Sequence, residues 1–143
     1  MKNIVQKAYD FAIKAHEGQK DRANEDYFKG HILRVFNGVG GEKAPPEIAA
    51  TALLHDVVED TEHTIEDIRY EFGDQIAAAV DAMTRPEGQD YFEYIDQLQL
   101  NDIARQVKIS DLTQNADLSR LPEVGPKDEK RKEKYEKALK KLL

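Results

Sequence analysis

An all-α fold, a helical bundle of roughly seven to eight helices, follows from three features of the sequence. Apolar residues recur three and four positions apart over most of the 143 residues. No window alternates apolar and polar residues for long enough to make a useful strand. The turn-forming residues fall between the periodic runs rather than inside them, and no segment repeats. The length suits one domain with a real core, so residues 1–143 read as a single domain.

In chain order, Ile4, Val5, Ala8, Phe11, Ala12 and Ala15 place an amphipathic helix over residues 3–18, with Gly18 as its stop. A polar loop runs from Gln19 to Asp26. Tyr27-Phe28-Lys29-Gly30-His31 leads into a short helix through Ile32, Leu33, Val35 and Phe36, which Gly38, Gly40 and Gly41 end. Pro45-Pro46-Glu47 opens a central helix that runs to about Asp60, with proline in its first turn as expected. Thr64 with Asp67 three residues on is an acidic variant of the capping box, and its helix closes at Gly73. Gln75 to Thr84 is Ala-rich and helical, and Pro86-Glu87-Gly88 breaks the chain. Tyr91, Phe92, Tyr94, Ile95, Leu98 and Leu100 form another amphipathic stretch. Asn101 or Asp102 caps a helix to about Leu118, and Asp128 caps the last one, to Leu143.

The chemistry concentrates in Ala52-Leu53-Leu54-His55-Asp56-Val57-Val58-Glu59-Asp60. On a helix, His55, Asp56, Glu59 and Asp60 share one arc, and Leu53, Leu54, Val57 and Val58 fill the opposite one. An imidazole among three carboxylates is costly unless something neutralises it. A divalent cation would do so, and His with Asp suits Mn, Fe, Zn or Mg. The competing reading is an exposed acidic helix end with a chance histidine. Further along, Asp111 lies among Ala104, Val107 and Leu118 on a helical wheel, with Asn115 one turn later on the same face. A carboxylate in an apolar stripe must be compensated. His31 stands at a helix start after an aromatic pair. Together His31, His55, Asp56 and Asp111 offer two imidazoles and two carboxylates from three separate helices, enough to hold one ion with positions to spare.

The order His31 … His55-Asp56 … Asp111 resembles the H…HD…D signature of the HD superfamily of metal-dependent phosphohydrolases. Leu54 through Thr61 is similar to the LLHDxxEDT motif of the Rel/Spo alarmone hydrolase domains and their small stand-alone relatives. The likeness extends to Ala15-His16-Glu17-Gly18-Gln19, to Thr64 through Gly73, to Val107 through Asp111 with Asn115, and to Arg131 and Tyr135. It implies an HD-domain bundle and one divalent metal, Mn²⁺ first, with Fe, Zn, Mg or Co admitted by the residue types. His31, His55, Asp56 and Asp111 would be its ligands, and Glu59 and Asp60 the acid/base pair. Asn115 would hydrogen-bond substrate, and Tyr135, near Arg131, would pack on sugar or base. The implied reaction is removal of the 3′-pyrophosphate of guanosine 3′,5′-bis(diphosphate).

The sequence departs from that pattern in the loops. Tyr27-Phe28-Lys29-Gly30-His31-Ile32 lacks the prolines that flank the family's histidine, and the basic pair after Gln is reduced to Lys20-Asp21-Arg22. Thr84-Arg85-Pro86-Glu87-Gly88 replaces an acidic run, and Asp117 stands where the family tends to carry Arg. Lys20 and Arg85 become the candidate phosphate-recognising cations. Two alternatives follow: an HD phosphatase for another nucleotide or small phosphomonoester, or a nucleotide-binding module without turnover. The Glu59-Asp60 pair speaks against the latter.

Other residues invite blander readings. His63 reads as solvent-exposed, His16 as a packing or supporting residue, Tyr91 and Tyr94 as core. The three glycines at 38, 40 and 41 follow no strand and make no dinucleotide fingerprint. Zero cysteines exclude disulfides, Cys-type zinc sites and thiol nucleophiles. A net charge of −7 argues against a general nucleic-acid binder. Residues 127–143 carry eight Lys/Arg against four Asp/Glu, a net of +4 that leaves −11 on the first 126 residues. No stretch approaches a membrane span, and the first seven residues lack a signal-peptide core. The expectation is a cytoplasmic protein with a small-molecule nucleotide as partner; the sequence carries no sign of oligomeric state.

Overall fold

The computed structural model describes residues 3–143; Met1 and Lys2, where the reading of the N-terminus began, lie outside the described residues. It is all-α. The helices are α1 (Ile4–Ala15), α2 (Leu33–Gly38), α3 (Pro46–Leu54), α4 (Val57–Asp60), α5 (Ile65–Phe72), α6 (Asp74–Met83), α7 (Tyr91–Leu98), α8 (Asp102–Ala116) and α9 (Pro126–Leu142). Among the described residues there is no strand, only an isolated bridge between Lys20 and Asp26.

The bundle is built around α3. Every residue from Ile48 to Leu54 is buried, which is what a helix apolar on all sides requires. Thr51, the polar exception, donates its hydroxyl to the Glu47 carbonyl at 2.7 Å. α1 packs along one side of α3, with Ala8 and Ala12 at the contact, and α8 and α6 pack along others. α9 lies against α8 and α7 and buries Ala138 and Leu142. None of these helices is long and apolar enough to cross a membrane among the described residues.

Several helix ends follow from local chemistry. Asn3 caps α1 by accepting from the Gln6 N–H at 2.8 Å. Thr64 and Asp67 form the reciprocal capping box of α5, at 3.2 and 2.9 Å. Asn101, rather than Asp102, caps α8 through the Ala104 N–H. α9 begins three residues earlier than a cap at Asp128 implies, at Pro126 with Gly125 as its cap, and Asp128 reaches back to the Gly125 N–H at 2.9 Å.

Two differences from the sequence reading matter for the site. The single helix expected from Pro45 to Asp60 is two helices, interrupted at His55 and Asp56. The His55 Nδ1–H donates to the Ala52 carbonyl at 2.7 Å, so a side chain takes a carbonyl that a continuing helix would give to a backbone N–H. The second difference precedes α2, where Phe28–Ile32 winds as a π-helical turn carrying His31. Gly38 then lets α2 approach α8 closely: a Cβ there would meet the Ser110 hydroxyl oxygen at 2.1 Å. Ser110 in turn donates to the Val35 carbonyl at 2.9 Å. This contact fixes the helix after His31 against the helix that carries Asp111.

Candidate metal centre

Three segments meet at one point. His31 comes from the π-helical turn, His55 from the α3–α4 break and Asp111 from the middle of α8; all three are buried. Donor atoms of these three lie within 4.8 Å of one another. The His31 Nε2 is 2.9 Å from Asp111 Oδ1, and the His55 Nε2 is 3.5 Å from it. Asp56 adds its Oδ2 at 3.5 Å from His31 Nε2 and 3.2 Å from His55 Nε2. That same oxygen accepts the Tyr27 hydroxyl at 2.6 Å.

The tautomer of His55 decides what this cluster can hold. Nδ1 donates to a carbonyl, so in the neutral ring Nε2 presents a lone pair to two carboxylates. Nε2 is fully buried and is not aligned for a hydrogen bond with either of them. Burial is the largest influence on His55 and opposes its protonation, yet Asp56 and Asp111 together outweigh it and hold the imidazole well above its ordinary range. Asp111 is held well below the carboxylate range: burial is again overridden, this time by Lys108 and the two imidazoles. One buried imidazole nitrogen without a hydrogen-bond partner and two carboxylates aimed at the same point fit a divalent cation. His31, His55 and Asp111 could together hold a metal ion.

Above the cluster opens a cavity of about 570 Å³. Of the acid/base candidates, Glu59 and Asp60 both line it, from α4. Glu59 accepts the Arg85 N–H at 2.6 Å, and Asp60 accepts from the Gln19 amide at 3.3 Å. Desolvation raises both carboxyls above their ordinary values, and repulsion from Asp56 adds to it. Of the substrate candidates, Lys20, Arg85, Asn115 and Tyr135 line the cavity. Asn115 also donates to Asp111 Oδ1 at 3.1 Å. Arg131 does not line it; its guanidinium pairs with Asp128 in a neighbouring groove.

The structure also brings in residues that the sequence reading did not assign. Lys108 Nζ sits 2.9 Å from Asp111 Oδ2 and 5.3 Å from the Tyr94 ring centre. Its position one turn before Asp111 on the same helix was a readable signal. Arg22, Arg34 and Lys134 line the cavity from the loop, α2 and α9. Arg22 belongs to the basic remnant after Gln19, whereas no local pattern marks Arg34 and Lys134, which only the tertiary fold gathers. Tyr91 is half-buried and lines the cavity with an unpartnered hydroxyl, between Lys134 and Arg85. Tyr94 is buried as expected and donates to the Met83 carbonyl at 2.5 Å. His63 is only partly exposed and packs on Phe11 with ring centres 4.5 Å apart.

The HD domain family matches the chain over residues 8–143. The chain belongs to the HD domain family. Curated proteins are also similar over part of the chain. The chain is 37% identical over 81 residues to a guanosine-3′,5′-bis(diphosphate) 3′-pyrophosphohydrolase of Aquifex aeolicus, covering 57% of this chain and 12% of that protein. It is also 37% identical over 81 residues to a GTP pyrophosphokinase of Streptomyces coelicolor, covering 57% of this chain and 9% of that one. This HD domain thus matches only about a tenth of the length of these relatives. Its fold is shared with a solved structure described as a metazoan ortholog of SpoT that hydrolyzes ppGpp. The TM-score there is 0.78 at 22% identity, over 99% of this chain and 86% of the other.

Proposed function

We propose that this HD domain is a metal-dependent phosphohydrolase acting on a nucleotide, with guanosine 3′,5′-bis(diphosphate) as substrate and its 3′-pyrophosphate as leaving group. The observation that carries the reading is the convergence of His31, His55 and Asp111 on one point beneath a cavity walled by Glu59 and Asp60. The names of the matched relatives supply the nucleotide. Manganese is the proposed ion, with Asp56 completing its ligand set, and the cytoplasm is the proposed compartment.

A divalent ion held there supplies charge to polarise a phosphoryl oxygen and to acidify water. The chain's own groups do the rest. Glu59 and Asp60, raised by desolvation, exchange protons with the nucleophile and the leaving group. The Arg85 N–H fixes Glu59 in place from the α6–α7 loop. Asn115, anchored on Asp111, turns its remaining capacity towards a substrate hydroxyl or phosphate. Lys20 and Arg85 meet phosphate charge, and Tyr135 offers a ring face to sugar or base. Arg131 acts from the neighbouring groove.

A second reading, a different nucleotide or a small phosphomonoester, is favoured by one detail. The Arg85 side chain donates to the Gln89 carbonyl and lies over the Tyr91 ring, so the cation that this loop brings to the cavity is placed by this chain's own contacts. Incubation with Mn²⁺ and a panel of nucleotides, with chromatography of the products, separates the two. Pyrophosphate released from ppGpp, and abolished in Asp111→Ala, supports the first reading. Orthophosphate from another nucleotide supports the second. Tight metal binding without turnover of any compound would leave only a nucleotide-binding role.

A further inference from the structure

Asp60 is tied to a buried histidine through a single amide. Its Oδ2 accepts from the Gln19 Nε2 at 3.3 Å, and the Gln19 Oε1 lies 2.9 Å from the His16 Nδ1. The orientation of each group follows from its neighbour. An ionised carboxylate only accepts, so the NH₂ end of Gln19 must face Asp60. The amide oxygen then faces His16, which must carry its proton on Nδ1. That leaves the His16 Nε2 as a lone pair, and it is fully buried with no partner, on a residue 1% exposed. A histidine that only filled space would not be held in the one tautomer that strands its other nitrogen.

We infer that His16, acting through Gln19, is a positioning residue for Asp60. The inference rests on the proposed role of Asp60 for its catalytic consequence, but the linkage itself does not. The surroundings are suited to it. His16 ends α1 as its C-cap residue, with its backbone N–H on the Ala12 carbonyl, so the ring is fixed to a rigid element. The Gln19 N–H binds the His16 carbonyl at 3.0 Å and the Gln19 carbonyl accepts the Tyr27 N–H at 2.8 Å, so the amide's own backbone is pinned from both sides. The Tyr27 ring packs at a tilt of 45° against the His16 ring with centres 5.3 Å apart, and its hydroxyl holds Asp56. One corner of the fold thus orients a carboxylate on each side of the metal point.

The charges around Asp60 define what loss of the link does. Asp56 and Glu59 face it from its own segment, His55 from the helix break, Tyr27 from the loop and π-turn, and His16 and Gln19 from the end of α1. Burial, the largest influence, and then Asp56 favour its protonation, while the Gln19 amide, His16 and His55 oppose it. Without that donor the Asp60 carboxyl titrates at higher pH and turns freely about χ1.

The test is a carboxyl NMR titration of Asp60 in protein labelled with ¹³C-aspartate and loaded with diamagnetic Zn²⁺, run beside steady-state kinetics with Mn²⁺. Four proteins are compared: wild type, Gln19→Met, His16→Leu and His16→Asn. Gln19→Met and His16→Leu are expected to move the Asp60 midpoint upward and to lower kcat at least about tenfold with KM little changed. His16→Asn keeps an N–H donor at the position of Nδ1 and is expected to recover most of both. An Asp60 midpoint that stays put in Gln19→Met, read in protein with wild-type melting behaviour, overturns the linkage whatever the kinetics show. A midpoint that moves while kcat holds confirms the linkage and removes Asp60 from the catalytic role proposed above.

Discussion

Lys108 Nζ lies 2.9 Å from Asp111 Oδ2, while Asp111 Oδ1 faces both imidazoles. One carboxylate is thereby divided: one oxygen is committed to a lysine of its own helix, and the other is left for the metal point. Lys108→Met removes the first commitment and leaves a buried anion whose remaining partners are His31, His55 and Asn115. The expected cost is about 3 kcal/mol of folding stability without metal, the low end for breaking a buried pair because the imidazoles still compensate. Urea denaturation measures it. A loss indistinguishable from zero would mean that Lys108 is not partnered with Asp111 in solution.

The raised His55 pKa has a consequence for metal uptake. Without metal, Asp56 and Asp111 favour the protonated imidazole against the effect of burial, whereas a ligand nitrogen must be bare. Metal binding should therefore be accompanied by proton release. Titration calorimetry in buffers of different ionisation heat reads this directly, and an apparent enthalpy independent of buffer would rule it out. The same shift sets a stability trend in the metal-free protein. Protonated His55 stabilises the fold fully below its ordinary imidazole pKa, and that contribution drains away as pH rises through the raised value.

Glu59 titrates above its ordinary range, chiefly through desolvation, against the opposing Arg85 N–H. Its base form is lost on acidification sooner than that of a free glutamate. The acid limb of kcat/KM is expected above the usual carboxylate range, and Glu59→Gln is expected to lower kcat by roughly 10²–10⁴ with metal binding intact. An unchanged acid limb in Glu59→Gln, seen in residual activity, would assign that limb to another group.

Gly30 sits where no side chain fits. A Cβ there would come within 2.0 Å of Asp21 Oδ2 and 3.0 Å of the Arg120 Nη2. Arg120 joins three segments at this point, through Asp21 at 2.8 Å, Glu25 at 3.0 Å and the Gly30 carbonyl at 3.0 Å. Gly30→Ala should cost about 1–3 kcal/mol by overpacking. It should also weaken metal binding, because His31 is the next residue. Thermal melting with and without Mn²⁺ would show a larger deficit in the presence of metal, whereas equal deficits would show that the clasp does not bear on His31.

Much of this was legible in the sequence because the signals were local. The period of apolar residues marks each helix, Thr64 and Asp67 mark the start of α5, and the apolar neighbours of Asp111 mark its burial. The break at His55 was not legible, since it depends on a side chain capturing the Ala52 carbonyl, which a helical wheel cannot represent. Nor was the distinction between Tyr135, which lines the cavity, and Arg131, four residues before it, which does not. On one helix that difference is a matter of which way a guanidinium turns, and Asp128 decides it. Arg34 and Lys134 belong to the cavity only because α2 and α9 flank it.

The uneven distribution of charge gives the cavity a direction of approach. The last helix carries a net of +4 beside a body of −11, and Lys134 brings that helix to the cavity wall. A polyanion diffusing towards the molecule is repelled over most of the surface and drawn along one side. Encounter is then faster than an undirected search allows, and it slows as dissolved salt screens the field over roughly 10 Å. The helix most remote in sequence from His31 and His55 thus governs how quickly they meet a ligand.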